Sequence, residues 1–489
     1  MTVGGGQVLS VQREPSLRRF SAGRTRRALE LVSLRLTPAL AGAAATYSHT
    51  HELEAAALAL VAMLVAAHLV DRSRLPLALM PAARIVTMFS WPLLGAGIVV
   101  LLTPVDERPV TLAAMEAAVA VTWLVMALGA WVADRAQKAL PSRIAVVGSP
   151  EFAIDLAAEL RATRIRSLRV VGWFGDPHDG LSIARHLGTV EDLRAVTIAH
   201  QLELLVYAPD SDMSWDSICD GVADDCFDLP LRLIDSNQLY EDTFGHVPVG
   251  TIDAGWYRYM LHPRYRGGSA VAKRIFDIVV AGLIGILALP FLAVAGLAIR
   301  VARGGPVLYR QRRLGEHGRA FDMLKLRTMR PDAEPDGPRW SVSGDDRVTS
   351  VGRVLRRLHV DELPQVWNVL RGDMTLVGPR PERPELAADL ERRFEHFARR
   401  KLVKPGIAGW AQIRCGYAGS ERGASWKLCY DLFYIKHRSL FADVLILIET
   451  AFQAVRDAHR ILRTPGDRFV LGKAVIAEQP AESSSGSPV

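Results

Sequence analysis

Asp361 and Glu362 stand side by side in a stretch crowded with arginine. Arg353, Arg356 and Arg357 precede them, and Arg371, Arg380 and Arg383 follow. A carboxylate can attack phosphorus as a nucleophile, or hold a hard cation such as Mg²⁺ through oxygen. Guanidinium groups bind phosphate oxygens in pairs. Acids among so many arginines therefore point to a phosphate-handling site. A second basic patch lies upstream in 321–330, where apolar and basic residues alternate and put Lys325 and Arg327 on one face of a short strand.

Local elements must hold these groups in place. Leu363, Val366, Trp367 and Leu370 recur at i, i+3, i+4 and i+7, which predicts a helix with that face buried. Asp361 is then its N-cap and Glu362 its first helical residue. Pro364 has no N–H, so one donor that would cap onto Asp361 is missing and the carboxylate is less committed. The helix N-terminus favours an ionised acid and attracts phosphate. The segment 347–358 reads as a basic helix and 331–343 as a polar loop. Two amphipathic stretches follow, 386–402 with Leu386, Leu390, Phe394 and Phe397 on one side, and 444–455. Each suits either a membrane surface or packing against the domain core.

The remaining chain is far larger than such a site needs. Its 489 residues, 49% of them hydrophobic with a net charge of +7, exceed one ordinary domain. A mean hydropathy of +0.14 and a pI near 9.3 fit apolar segments joined to soluble domains at an anionic surface, rather than a nucleic-acid binder. Four apolar stretches, 31–47, 53–70, 85–102 and 110–132, approach the roughly 20 residues of a membrane-spanning helix. Arginines before the first, between the second and third, and after the fourth place both ends of this bundle in the cytoplasm. A fifth run, 278–299, has no charge, is flanked by Lys273 and Arg274 on one side and Arg300 and Arg303 on the other, and contains Pro290. Basic residues at both ends predict a re-entrant helix-break-helix with both ends cytoplasmic.

Between the bundle and the fifth run, strands at 143–148, 168–174, 203–208 and 231–234 alternate with helices at 151–163 and 190–200. This is the pattern of a parallel, Rossmann-like α/β domain. Pro150 replaces the second glycine of a dinucleotide fingerprint in the first turn, so a structural or regulatory role is expected rather than dehydrogenation. Cys219, Cys226, Cys415 and Cys429 lack metal-ligand spacing and read as reduced thiols. The Arg-rich N-terminus does not read as a signal peptide.

The motifs from Lys273 to about Thr450 resemble the bacterial sugar transferases, the polyprenyl-phosphate hexose-1-phosphate transferases. The resemblance rests on Lys273-Arg274-Ile275-Phe276-Asp277, Lys325-Leu326-Arg327-Thr328-Met329-Arg330, Asp361-Glu362-Leu363-Pro364-Gln365, Gly372-Asp373-Met374, Val377-Gly378-Pro379-Arg380-Pro381-Glu382, Lys404-Pro405-Gly406-Ile407-Ala408-Gly409-Trp410-Ala411-Gln412 and Asp431-Leu432-Phe433-Tyr434-Ile435. Leu326, Ala408 and Arg414-Cys415-Gly416 depart from the usual pattern. The leading spans and the middle domain resemble the family's long form.

This implies a membrane protein in six parts: a cytoplasmic N-terminus (1–28), a four-helix transmembrane bundle (29–137), a Rossmann-like domain (138–240), a linker (241–270), a small mixed α/β catalytic domain (271–465) with its re-entrant helix at 274–302, and a disordered tail (466–489). It also implies transfer of a sugar 1-phosphate from a nucleotide diphosphate sugar, UDP-glucose or UDP-galactose, to polyprenyl phosphate. This would be the first membrane step of exopolysaccharide, capsule or O-antigen assembly. Asp361 would be the nucleophile and Glu362 its catalytic neighbour, and both would be ligands to Mg²⁺. Arg353, Arg380, Arg327, Lys325 and Asp431 would bind substrate phosphate. The expected partners are the two substrates, membrane lipids and a second copy of the chain, with no nucleic acid. The site is expected on the cytoplasmic face of a multi-pass protein of the inner membrane. Competing expectations are a nucleotide-sugar oxidoreductase built on the middle domain, and a non-catalytic scaffold.

Overall fold

The computed structural model describes residues 37–50, 108–139, 141–163, 165–175, 185–208, 215–249, 269–303, 306–330, 345–415 and 421–460, with isolated positions in 57–99 and residue 252. The expected segments 1–28 and 466–489 lie outside the described residues, as do most of the second and third apolar stretches. The chain divides into two compact units, one ending at Ser236 and the other running from Asn237 through the catalytic region.

In the first unit, α1 (Thr37–Thr50) packs against α2 (Arg108–Ala139). Ala39, Ala43 and Thr46 of α1 and Ala114, Ala118 and Thr122 of α2 are buried, and Thr122 Oγ1 donates to Pro38 O at 3.2 Å across the pair. Small side chains let two apolar helices approach closely without a hydrophobic drive between them. Leu124, Leu128 and Trp131 of α2 are left exposed. Among the described residues, Ala113–Val132 and Ala270–Ala302 are long and apolar enough to cross a membrane, as suits a membrane protein.

The same unit holds β1 (Ser142–Gly148), α3 (Pro150–Ala162), β2 (Leu168–Phe174), β3 (His186–Gly188), α4 (Leu193–His200), β4 (Leu204–Ala208), α5 (Trp215–Cys226) and β5 (Arg232–Asp235). The strands form one parallel sheet in the order β3-β2-β1-β4-β5, a doubly wound arrangement. Ile144 to Val147 of the central β1 are buried, as a strand covered on both faces requires. The short edge strand β3 and the acidic α5 are additions to the sequence expectation. At the β1–α3 turn Gly148 takes φ +107°. Ser149 Oγ caps α3 by accepting from Phe152 N at 3.2 Å, and it donates to Glu151 Oε2 at 3.1 Å. A carboxylate thus sits in the first turn of α3, where its charge repels an anion approaching the helix N-terminus.

The second unit opens with α6 (Ser236–Phe244) and is dominated by α7 (Ala270–Arg303), a helix of 34 residues. The break expected at Pro290 is absent: the helix runs through it. A buried or lipid-exposed helix tolerates proline when the freed carbonyl finds other partners. After α7 come the antiparallel hairpin β6 (Leu308–Leu314) and β7 (Ala320–Leu326), α8 (Ser350–Arg357), a 3₁₀ turn (Val360–Glu362), α9 (Gln365–Arg371), β8 (Thr375–Val377), α10 (Pro384–Arg393), β9 (Gly406–Ala408), α11 (Trp410–Cys415), α12 (Glu421–His437) and α13 (Leu440–Arg460). β8 and β9 pair in parallel, and α12 and α13 wrap them around a core containing Trp410, Leu428, Phe433, Leu445 and Ile446. The stretch 386–402 joins this core through Leu390 and Phe397, so its apolar side faces protein.

Residues at the start of the expected linker are built into this unit. Glu241 pairs with Lys436 Nζ at 2.8 Å and His437 Nε2 at 2.7 Å, and Trp410 Nε1 donates to Gly245 O at 2.7 Å. The membrane helix is tied in as firmly. Asp277 accepts from Thr375 Oγ1 and Leu376 N, Lys273 reaches Asp443 at 2.6 Å, and Arg274 donates to the last carbonyls of α9, Val369 O and Leu370 O. Ala281 faces the main core, while Ala295 and Ile299 pack on Leu326 and Leu355. Alanines at 281, 288 and 295 recur every two turns along this buried line.

Candidate active site

The acids sit on the turn between α8 and α9. α8 begins at Thr349, whose side chain caps it by accepting from Gly352 N at 2.9 Å, and so it is shorter than the basic helix expected at 347–358. Arg347 lies before it, in a turn where it pairs with Asp345. Gly352 allows α8 to lie on Thr328, because a Cβ there would run into Thr328 O. The chain then reverses through His359, which takes φ +57°, and enters the 3₁₀ turn Val360–Glu362. α9 has Pro364 at its cap position. Asp361 is therefore not an N-cap, and the expected helix start at Glu362 moves to Gln365. Tighter i→i−3 turns run through the acids instead, Leu363 N to Val360 O and Val366 N to Leu363 O, so the regular helix begins only after Pro364. The expected apolar face is also revised. Val366 is buried, but Trp367 is 61% exposed.

Four predicted residues come together here. Lys325 of β7 extends its Nζ to 3.2 Å from Glu362 Oε1. Arg380, from the loop after β8, grips the same carboxylate through Nη2 to Oε1, and through Nη1 to Oε2 at 3.2 Å. Burial alone would raise the Glu362 carboxyl, but Arg380 and Lys325 overcome that and hold it well below the usual range. Asp361 differs. It is buried, and no described residue donates a hydrogen bond to its carboxylate. Burial raises its carboxyl above the ordinary value, and the neighbouring Glu362 charge adds to the rise, against the pull of Lys325, Arg356 and Arg380. Two adjacent acids thus have different environments, one gripped by Arg380 and Lys325 and one with no hydrogen-bond donor among the described residues.

Arg353 and Arg327 are placed differently. Arg353 is exposed on α8, and it is Arg356, one turn later, whose charge bears on Asp361. Arg327 lies just past β7, its N–H donating to Val307 O at 2.8 Å. Asp431 stands behind the site. It accepts from Arg400 Nε at 2.7 Å, and Arg400 Nη2 donates to Arg380 O at 2.9 Å. Sequence reasoning missed this supporting layer. Arg313 donates to Pro381 O at 2.9 Å, Leu314 N to Glu382 O at 3.0 Å, and Gly406 N to Pro379 O at 3.0 Å. Burial pushes the Arg313 guanidinium down to about 10. The β6–β7 register puts Arg313 on the same face as Lys325, a signal available from alternation. Gly378 and Gly406 let the two backbones meet, since a Cβ on Gly406 would collide with Gly378 N. Together these contacts fix the carbonyls of Pro379 to Glu382, and so the direction in which Arg380 leaves the loop.

The comparisons with known proteins fall on this part of the chain. The family model described as "Bacterial sugar transferase" matches residues 268–457, from α7 to α13. A UDP-glucose:undecaprenyl-phosphate glucose-1-phosphate transferase from Caulobacter vibrioides is 37% identical over 242 residues, covering 48% of this chain and 89% of the relative. The chain belongs to the bacterial sugar transferase family. Another member, the UDP-N-acetylgalactosamine-undecaprenyl-phosphate N-acetylgalactosaminephosphotransferase of Aeromonas hydrophila, is 41% identical over 181 residues. That match spans 37% of this chain and 43% of the relative. A longer match reaches the undecaprenyl-phosphate glucose phosphotransferase of Komagataeibacter xylinus, 31% identical over 323 residues, 64% of this chain and 58% of the relative. The chain therefore spans about half the length of two of these curated family members. Lys325, Asp361, Glu362, Arg380, Arg400 and Asp431 all fall inside the segment that the bacterial sugar transferase model matches.

Lys325 gives the site a measurable pH response. Burial pushes its ammonium down to about 8, although Glu362 draws it upward. It is charged below that pH and neutral above it. An enzyme relying on this charge loses kcat/KM for its donor as pH rises through about 8. On the acid side, a reaction that needs the Asp361 carboxylate would gain activity as it ionises, at a pH above the ordinary carboxylate value because its carboxyl is raised. Lys325→Arg keeps a cation at every accessible pH, so the alkaline limb moves upward while the acid limb stays. A pH–rate profile with an unmoved alkaline limb in Lys325→Arg would assign that limb elsewhere.

Proposed function

We propose that this protein transfers a sugar 1-phosphate from a UDP-sugar to polyprenyl phosphate through a covalent intermediate on Asp361. The observation that carries the proposal is the open, buried Asp361 carboxylate beside a Glu362 already neutralised by Arg380 and Lys325. In the first half-reaction an Asp361 oxygen attacks the β-phosphorus of the donor. The bond from that phosphorus to the bridging oxygen breaks, and UMP leaves with the electron pair. In the second, a phosphate oxygen of the polyprenyl phosphate attacks the same phosphorus. The acyl phosphate opens, Asp361 returns as carboxylate, and polyprenyl diphosphate sugar is released. Phosphoryl transfer depends chiefly on positioning and charge neutralisation. Arg380, Lys325 and Arg356 supply cations around Asp361, Asp431 supports Arg380 through Arg400, and Arg353 and Arg327 are proposed to meet substrate phosphate from outside this cluster.

Mg²⁺ fits the donor set. Among the described residues no three His, Cys, Asp or Glu converge, and Mg²⁺ commonly takes one or two carboxylates and fills the rest of its shell with water and substrate phosphate. Asp361 and the remaining lone pairs of Glu362 would hold it. When bound, it neutralises phosphate charge.

The related proteins act on UDP-glucose or UDP-N-acetylgalactosamine by name. UDP-glucose and UDP-galactose remain the proposed donors, with N-acetylated sugars next. The proposed setting is the cytoplasmic face of the inner membrane, in a dimeric, multi-pass protein that begins exopolysaccharide, capsule or O-antigen type assembly. The part of the re-entrant expectation that an unbroken α7 can keep, both ends on one side of the membrane, draws support from its packing. One domain contacts it from Lys273 to Ile299, a length of roughly 39 Å that exceeds the roughly 30 Å of bilayer hydrocarbon. A helix held that way keeps both ends on one side. The oxidoreductase reading is disfavoured by Glu151 at the β1–α3 turn. The test is transfer of β-³²P label from a panel of UDP-sugars into undecaprenyl phosphate with Mg²⁺. Label should enter lipid with at least one sugar, and none with any sugar would defeat the proposal.

A further inference from the structure

The β6–β7 hairpin has two faces with different neighbours. Its register pairs Tyr309 with Lys325 and Leu308 with Leu326, and directly opposed residues share a face. One face sends Lys325 to Glu362. The other turns Leu326 toward α7, in a cluster with Ala295, Ile299 and Leu355 against which Leu292 and Val360 also pack. On that second face a groove of about 420 Å³ is lined by Leu292, Leu308, Leu324, Leu326, Pro364 and Trp367 and by no polar residue. Its size falls in the range of small-molecule sites. Trp367 and Leu308 flank it and are 61% and 50% exposed, unusual for a tryptophan that a water-facing surface would normally cover.

The acids connect the two faces. Val360 packs on the groove side and Glu362 reaches Lys325 on the other. Asp361 lies between these two residues in the chain. Pro364, two residues beyond Glu362, is itself a groove wall. At its other boundary the groove meets α7 at Leu292, next to Leu289 and Phe291, which are exposed on the lipid-compatible side of the helix. An apolar groove with a membrane helix at one boundary, and with a wall residue, Pro364, two positions from Glu362 in the chain, matches a ligand with a hydrocarbon tail and an anionic head.

We infer that this groove holds the first isoprenoid units of the acceptor and presents its phosphate to Asp361. The inference rests on the transfer reaction proposed above, but makes a separate demand: the groove should serve only the second half-reaction. The donor half can be measured alone, as exchange of labelled UMP into the UDP-sugar, which needs no lipid. The full chain in detergent micelles is assayed for this exchange and for transfer to undecaprenyl phosphate. Trp367→Ala removes a wall, and Leu292→Trp fills the groove. Each should raise KM for undecaprenyl phosphate about tenfold, the scale expected when an apolar contact of this kind is lost, while UMP exchange stays within about twofold. An unchanged KM in both variants overturns the inference and leaves the groove to bulk phospholipid. So does a fall in UMP exchange parallel to the fall in transfer, which would mark structural damage. If the unaltered chain performs neither exchange nor transfer, the proposed reaction itself fails, independently of the groove.

Discussion

Asp361→Asn should abolish transfer, lowering turnover by about 10³-fold or more, because the amide removes the attacking oxygen's charge while keeping its shape. The substitution is unusually clean. The Asp361 carboxylate accepts no hydrogen bond from any described residue, so no neighbour is left stranded. Its raised carboxyl adds a second, opposite expectation. A carboxyl raised in the fold is one whose charge the fold disfavours, and that penalty acts at every pH above its folded value. Removing the charge at neutral pH should leave the melting temperature unchanged or higher. Loss of activity with retained or improved stability is the mark of a group held in place for chemistry. Two measurements decide it. Label from a β-³²P UDP-sugar should stay on the denatured native chain and be absent from Asp361→Asn. Normal transfer by Asp361→Asn would remove Asp361 from the mechanism.

Much of this site is legible in the amino-acid sequence, and the omissions have physical causes. Strand alternation puts Lys325 on a definite face, and β7 obeys it, because a pleated strand has little freedom in where its side chains point. The strands of the parallel sheet also fall close to their expected limits, since buried runs such as Ile144–Val147 are unambiguous. The seat of Asp361 is not legible in the same way. Apolar periodicity predicts that a helix exists but not the 3₁₀ turns before it, and nothing at His359 marks the left-handed turn that reverses the chain. Periodicity misplaces Trp367 for a related reason. It counts apolar residues without knowing what covers them, and beside a membrane helix an outward tryptophan is consistent with the same pattern. Arg313, Arg400 and Glu382 act through contacts to residues 18 to 68 positions away. Such pairings exist only once the hairpin, β8 and the 3₁₀ turn Phe397–Leu402 are assembled.

Arg380→Ala should be the second severe lesion, with a loss on the order of 10³-fold in kcat, the scale on which arginines act in phosphoryl transfer. The value of Arg380 lies in how it is held. Arg400 takes its carbonyl, Arg313 takes the next one, and Gly406 takes the one before. With three successive carbonyls fixed, the guanidinium has little entropy left to lose when it meets a phosphate, and preorganised charge is what stabilises a transition state. Alanine also leaves Glu362 with Lys325 as its remaining partner among the described residues, so the pair of acids becomes more negative just where anionic substrates must approach. Arg380→Lys should recover only part of the loss, because an ammonium cannot make the paired contacts of a guanidinium. The supporting layer offers an independent check. Asp431→Asn weakens the grip on Arg400 without touching the acids, so it should lower kcat less than Arg380→Ala while leaving the acid limb of the pH–rate profile, set by Asp361, where it was. If Asp431→Asn moved that limb, or equalled Arg380→Ala in effect, Asp431 would have to meet the substrate itself rather than act through the Arg400–Arg380 chain.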